Sequence, residues 1–118
     1  MSRSNADPPT EPERHHPRLD LNEAIHQPVR LSLLALLSHA AKVDFAFLRD
    51  HLALKDSNLS QHLSALEALG YIQIEKVFEG KRPRTWVSLS TQGRAAWDDY
   101  LRVLRQIVEA PPSPTPGE

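Results

Sequence analysis

Between positions 80 and 86 the sequence reads GKRPRTW, with Lys81, Arg82 and Arg84 inside four residues and Pro83 between the two arginines. Ammonium and guanidinium groups gathered this closely suit charge-assisted bonding to phosphates, arginine forking onto two oxygens at once. The proline limits the segment's freedom and so lowers the ordering cost of binding. A solubilising turn would also carry Lys and Arg, as exposed hairpin ends often do. Net charge does not account for the cluster, since the 118-residue chain has a formal charge of −1 and a pI near 6.6. From Pro28 to Ala95, however, nine Lys and Arg stand against six Asp and Glu, so the central part is mildly basic.

A second group lies in SNLSQHLSALEALG, residues 57–70. If Leu59, Leu63, Leu66 and Leu69 follow the helical period inward, Asn58, Gln61, Ala65 and Ala68 point outward. Ser57, Ser60 and Ser64 then lie on the flanks. Small hydroxyls suit phosphates, and Asn or Gln can bond an adenine edge in two places. The same face is what a plain solvated helix shows. No Lys or Arg occurs between Asp56 and Gly70, which favours that plainer reading and argues against strong base readout from this helix.

Other chemistries find little support. The absence of cysteine excludes disulfides, thiolate nucleophiles and Cys-based metal sites. The six histidines, at 15, 16, 26, 39, 51 and 62, lack zinc-site spacing. His62, beside the inward face of its helix, reads as a packed histidine with one satisfied nitrogen. No Gly-rich phosphate loop, Ser/His/Asp set or paired carboxylates stand out, and Glu75 and Glu79 read as strand charges. Neither an enzyme nor a metal or other cofactor is predicted.

The elements that must position the two groups follow from pattern. LNEAIHQ, residues 21–27, predicts a short first helix. Pro28 then opens a second, VRLSLLALLSHA, apolar on nearly every side and therefore central. Asp44 is a good N-cap for FAFLRDHLAL, and Asp56 or Ser57 for the helix that ends at Gly70 in a left-handed turn. Residues 71–77 and 85–89 alternate apolar and polar, predicting two strands with FEGKRPR between them as a hairpin tip. Ser90 or Thr91 caps a last helix running to Pro111.

Two helices joined by a tight turn and followed by a hairpin are the order of a winged helix-turn-helix, a mainly α fold with a β-hairpin wing. In that geometry the helix at 57–69 enters the major groove and the wing reaches the minor groove or flanking phosphates of double-stranded DNA. The last helix gathers Ala96, Trp97, Tyr100, Leu101, Val103, Leu104, Ile107 and Val108 into an arc of about 160°. That is wider than one packing edge needs. A homodimer is therefore expected, with Trp97, Tyr100, Leu101, Leu104 and Val108 at the interface. If a small-molecule effector exists, the expected pocket lies between this helix and the helix pair, near Trp97 and Tyr100.

The proline-rich ends, 1–18 and 111–118, are expected to be disordered tails around one domain at 19–110. No apolar run is long enough to span a membrane and the N-terminus lacks a signal-peptide core, so a cytoplasmic protein is expected.

Taken together, LNEAIHQPVRLSLLALL, FAFLRDHLALKDSNLSQHLSALEALGYI and EGKRPRTWVSLSTQGRAAW resemble the small winged-helix transcriptional regulators of the MarR/ArsR-like group, over about residues 20–108. The resemblance implies a DNA-binding regulator, usually a homodimer on a two-fold operator. It implies a recognition helix at Ser57–Leu69, a wing at Glu79–Arg84, and dimer contacts from the first and last helices. Cysteine-based metal or oxidant sensing is not carried over. The expected DNA contacts are Ser57, Asn58, Ser60, Gln61 and Ser64 on the helix and Lys81, Arg82 and Arg84 on the wing, in a protein most simply a repressor. The competing class is a winged-helix protein-interaction module without specific DNA binding.

Overall fold

Pro28 opens helix α1, Pro28–Leu37, where its missing N–H costs nothing. Gln27 caps it, its side-chain oxygen accepting from the Arg30 N–H at 2.8 Å. The computed structural model describes residues 15–111. Residues 1–14 and 112–118, where most of the two expected tails fall, lie outside the described residues. A 3-10 turn at Pro17–Asp20 packs against the last helix.

The helix expected over 21–27 is absent. Asn22 closes a turn instead, its Oδ1 accepting from the N–H groups of Ala24 (3.0 Å) and Ile25 (3.3 Å). Short polar side chains compete in this way for helical N–H groups. The residue before a proline is also pushed out of the helical region, and Gln27 is extended at φ −151°, ψ 131°. The turn still buries Ile25 completely.

Leu33, Leu34 and Leu37 make α1 the central helix. A two-residue strand, β1 (Val43–Asp44), leads into α2 (Phe45–His51), capped by Asp44 through the Phe47 N–H at 3.3 Å. Helix α3 spans Asp56–Ala68. Neither expected cap serves it: Lys55 is the cap residue without a side-chain bond, and Asp56 is already inside the first turn. Leu59, Leu63 and Leu66 are buried as expected, whereas Leu69 is 42% exposed because the helix has ended there. Gly70, at φ +81°, is the left-handed residue of a Schellman closure, with Gly70 N–H on Glu67 O and Tyr71 N–H on Leu66 O.

Strands β2 (Ile72–Glu79) and β3 (Arg82–Leu89) form the wing, pairing from Ile72 with Leu89 to Glu79 with Arg82. β1 adds to the other edge of β3, so the antiparallel order is β1-β3-β2. The strands run further than the alternation predicts, leaving only Gly80 and Lys81 to turn the hairpin. Gly80 supplies φ +69° at the first turn position. Ser90 caps α4 (Thr91–Glu109), accepting from the Gly93 N–H at 2.8 Å and donating to Gly70 O at 2.6 Å. One hydroxyl thereby ties the end of α3 to the start of α4. Ile72, Val87, Trp97 and Tyr100 complete one core with the leucines of α1–α3.

Candidate nucleic-acid interface

Because Leu59, Leu63 and Leu66 hold one face of α3 in the core, the opposite face stands in solvent. Ser57, Asn58, Ser60, Gln61 and Ser64 are all exposed on it. From behind, α1 braces this helix: Arg30 Nε donates to His62 Nδ1 at 3.2 Å. Partial burial, then the Arg30 charge, lowers the His62 pKa and favours the neutral ring that can accept this bond. At the N-terminus of α3, Arg49 bridges Asp50 (2.8 Å) and Asp56 (3.1 Å). The Asp50 carboxyl is held below its ordinary range by that guanidinium, which is itself held more firmly protonated by the two carboxylates.

The three basic wing residues are not equivalent. Only Lys81 lies at the turn; Arg82 and Arg84 are in β3, two apart and so on the same sheet face. Arg84 is occupied. Its Nε donates to Asp44 Oδ1 at 3.1 Å and its Nη1 to Glu79 Oε1 at 2.9 Å. Glu79 first, then Asp44, raises its pKa. The guanidinium also lies 4.6 Å from the Trp86 ring centroid, and Lys42 Nζ lies 4.4 Å from the same ring. Arg82 stands opposite Glu79 in the register, but Glu79 is taken by Arg84. Among the described residues Lys81 and Arg82 make no side-chain hydrogen bond or ion pair and are exposed.

The other face of the wing looks toward α3. An open cleft of about 700 Å³ separates them, floored by Phe45, Leu63 and Ile74 and walled by Ser60, Ser64, Glu67, Lys76 and Thr85. Lys76, Thr85 and the 75%-exposed Phe78 are absent from the sequence-based set. A signal for two of them exists: Lys76 and Phe78 occupy the same strand phase as Ile72 and Ile74, so the alternation turns cationic and then aromatic where the strand leaves the core.

The expected dimer residues divide. Trp97 and Tyr100 are 6% and 1% exposed and stack on each other at 5.7 Å, with the Tyr100 hydroxyl 2.8 Å from His26 Nδ1. Burial raises the Tyr100 pKa. Packed into their own chain's core, these two rings have no surface left for a partner subunit or an effector. Leu101 and Leu104 are half-buried and Val108 is 71% exposed, so the uncovered part of the stripe is at the C-terminal end of α4.

Residues 29–108 match the family model of the winged helix DNA-binding domain. The chain is 33% identical over 79 residues to an uncharacterized protein of Methanocaldococcus jannaschii, an alignment covering 67% of this chain and 86% of the relative. Among solved structures it is similar to a transcriptional regulator homologue from Pyrococcus horikoshii OT3, with a TM-score of 0.72 and 27% identity over 78% of this chain and 91% of that one. A protein of Enterococcus faecalis V583 described as a MarR-family transcriptional regulator shares the fold, with a TM-score of 0.64 and 23% identity over 86% and 89% of the two chains.

Proposed function

The chain belongs to the winged helix DNA-binding domain family and is a DNA-binding regulator; on that premise we propose that it acts in the cytoplasm as a homodimeric repressor, seating α3 in the major groove and the wing on the adjacent minor groove or its phosphates. One observation carries the mode of binding: the hydroxyl and amide face of α3 stands exposed, and so do Lys81 and Arg82 at the end of the wing, without a side-chain partner among the described residues. Ser57, Ser60 and Ser64 approach phosphates, and Asn58 and Gln61 approach base edges. With no Lys or Arg on the helix, the wing supplies the cationic part of the affinity.

The dimer is supported by the end of α4. Val108 is 71% exposed on the same helix face as half-buried Leu104 and Ile107, and Leu19, on the 3-10 turn that packs against α4, is 61% exposed. An isologous pairing of these ends would cover them and present two recognition helices to a two-fold operator. A dimer bound across a promoter blocks polymerase, which makes repression the simplest outcome.

Sedimentation velocity and operator binding test this reading. The wild type is expected to sediment as a dimer and to protect a two-fold site overlapping its own promoter. Leu104→Glu with Val108→Glu is expected to sediment as a folded monomer with operator affinity reduced at least tenfold. A wild-type monomer at micromolar concentration, or a double variant that still dimerises, would refute the interface.

A further inference from the structure

We propose that the inner face of the wing is a second DNA-backbone site, at which Lys76, with Ser60 and Ser64 across the cleft, takes a phosphate while Phe78 and Pro83 pack against the neighbouring deoxyribose. The inference rests on the DNA-binding reading above and assigns contacts to residues outside the basic turn.

Three features support the occupant. The cleft brings one ammonium group and the hydroxyls of Ser60, Ser64 and Thr85 around a single open space between the recognition helix and the wing. Among the described residues the exposed Lys76 forms no ion pair or side-chain hydrogen bond, so its ammonium group is available to a ligand. The space is also continuous with the exposed face of α3: Ser60 and Ser64 belong to both. A duplex seated on α3 therefore carries one of its strands along this wall.

Phe78 extends the site away from the core. It shares a strand phase with Lys76, pairs across the hairpin with Pro83, and is 75% exposed. Deoxyribose rings offer an apolar surface beside each phosphate. An aromatic ring and a proline at the end of a strand can cover that surface without reading sequence. Glu67 bounds the site. It lines the same cleft one turn beyond Ser64 and repels an anion, which confines the phosphate to the Ser60 end.

The test is fluorescence anisotropy of the full-length protein on a labelled mixed-sequence duplex between about 50 and 200 mM salt. Lys76→Gln is expected to flatten the slope of log K against log salt by about 0.9 per protomer, so that over this range the wild type loses roughly 3.5-fold more affinity per protomer than the variant. Phe78→Ala is expected to weaken binding roughly fivefold at every salt concentration with an unchanged slope, because the contact is apolar. Glu67→Gln is expected to tighten binding, a gain that a merely structural role would not produce. All three positions are exposed, and circular dichroism checks that the variants fold like the wild type. An unchanged slope for Lys76→Gln overturns the phosphate contact, and wild-type affinity for Phe78→Ala overturns the sugar contact. A wild type that binds no duplex at low salt overturns the DNA-binding reading itself. A wild type that binds normally beside unaltered variants overturns only this site.

Discussion

Arg82 and Arg84 are two residues apart on one strand face, yet the structure predicts opposite salt behaviour for them. A cation that neutralises a phosphate releases condensed counterions and adds about 0.9 to the slope of log K against log salt on B-form DNA. Lys81 and Arg82 have no partner among the described residues, so two such contacts are available per wing. Removing both, as Lys81→Ala with Arg82→Ala, should lower the slope by about 1.8 per protomer. Across a fourfold rise in salt that amounts to a roughly twelvefold smaller loss of affinity per wing, and about 150-fold for a dimer using both. Arg84→Ala should leave the slope where it was. Its guanidinium is already paired with Asp44 and Glu79 at 3.1 and 2.9 Å, so it neutralises no phosphate and displaces no counterion from the DNA. The Arg84 variant should still bind more weakly, because the wing loses its bond to the cap of α2. Anisotropy titrations at four or more salt concentrations separate the cases. If Arg84→Ala flattens the slope by about 0.9 per protomer, its ion pairs with Asp44 and Glu79 open on binding and the assignment of free and occupied cations is wrong.

Two further predictions concern the frame behind the interface. Ala53 sits at φ 55° in the turn between α2 and α3, a left-handed conformation that costs a non-glycine residue roughly 1–2 kcal/mol. Ala53→Gly should therefore raise stability by about 1 kcal/mol after glycine's larger unfolded-state entropy is deducted, seen as a higher urea midpoint at constant m-value; a lower midpoint would show the turn to be unstrained. The His62 pKa is lowered from its ordinary 6.5 on folding, so as pH falls below 6.5 the unfolded chain takes up a proton that the folded chain resists. Stability should decline over that window and level off once the folded-state pKa is passed, and His62→Gln should remove this part of the decline in melting temperatures taken from pH 7.5 to 5.

What the sequence discloses is set by the range of the interaction responsible. The inward face of α3, its end at Gly70 and the cap at Ser90 depend on residues within one or two turns, and each is visible as a period or a single well-chosen residue. Segment 21–27 misleads because two local preferences compete there. Its composition permits a helix, but Asn22 captures the first N–H groups and Pro28 forbids the last residue the helical region. The two-residue strand β1 is too short to show any alternation. The apolar stripe of α4 is correctly read as too wide for one edge. Which of its residues stay uncovered depends on how far the helix runs past the core, and only the packed structure decides that Trp97 and Tyr100 lie inside and Val108 outside.

The wing makes the same point about function. A count of basic residues in GKRPRTW gives three cations, and the unpaired ones amount to Lys81 at the turn, Arg82 at the start of β3 and Lys76 outside the stretch. Two residues remove Arg84 from the count: Glu79, five positions earlier on the paired strand, and Asp44, 40 positions earlier, which also caps α2 and belongs to β1. The residue that restores the number is Lys76, whose strand phase points it into the cleft instead of toward the basic turn. Positive charge is thus legible in the sequence, but its availability is not, because availability is decided by pairing across the sheet. In this fold the β1–β3 register places Asp44 beside Trp86, within reach of Arg84. A one-residue slip would turn Asp44 to the opposite face of the sheet and leave the arginine held by Glu79 alone. The register of a two-residue strand therefore decides whether Arg84 is held by one carboxylate or by two.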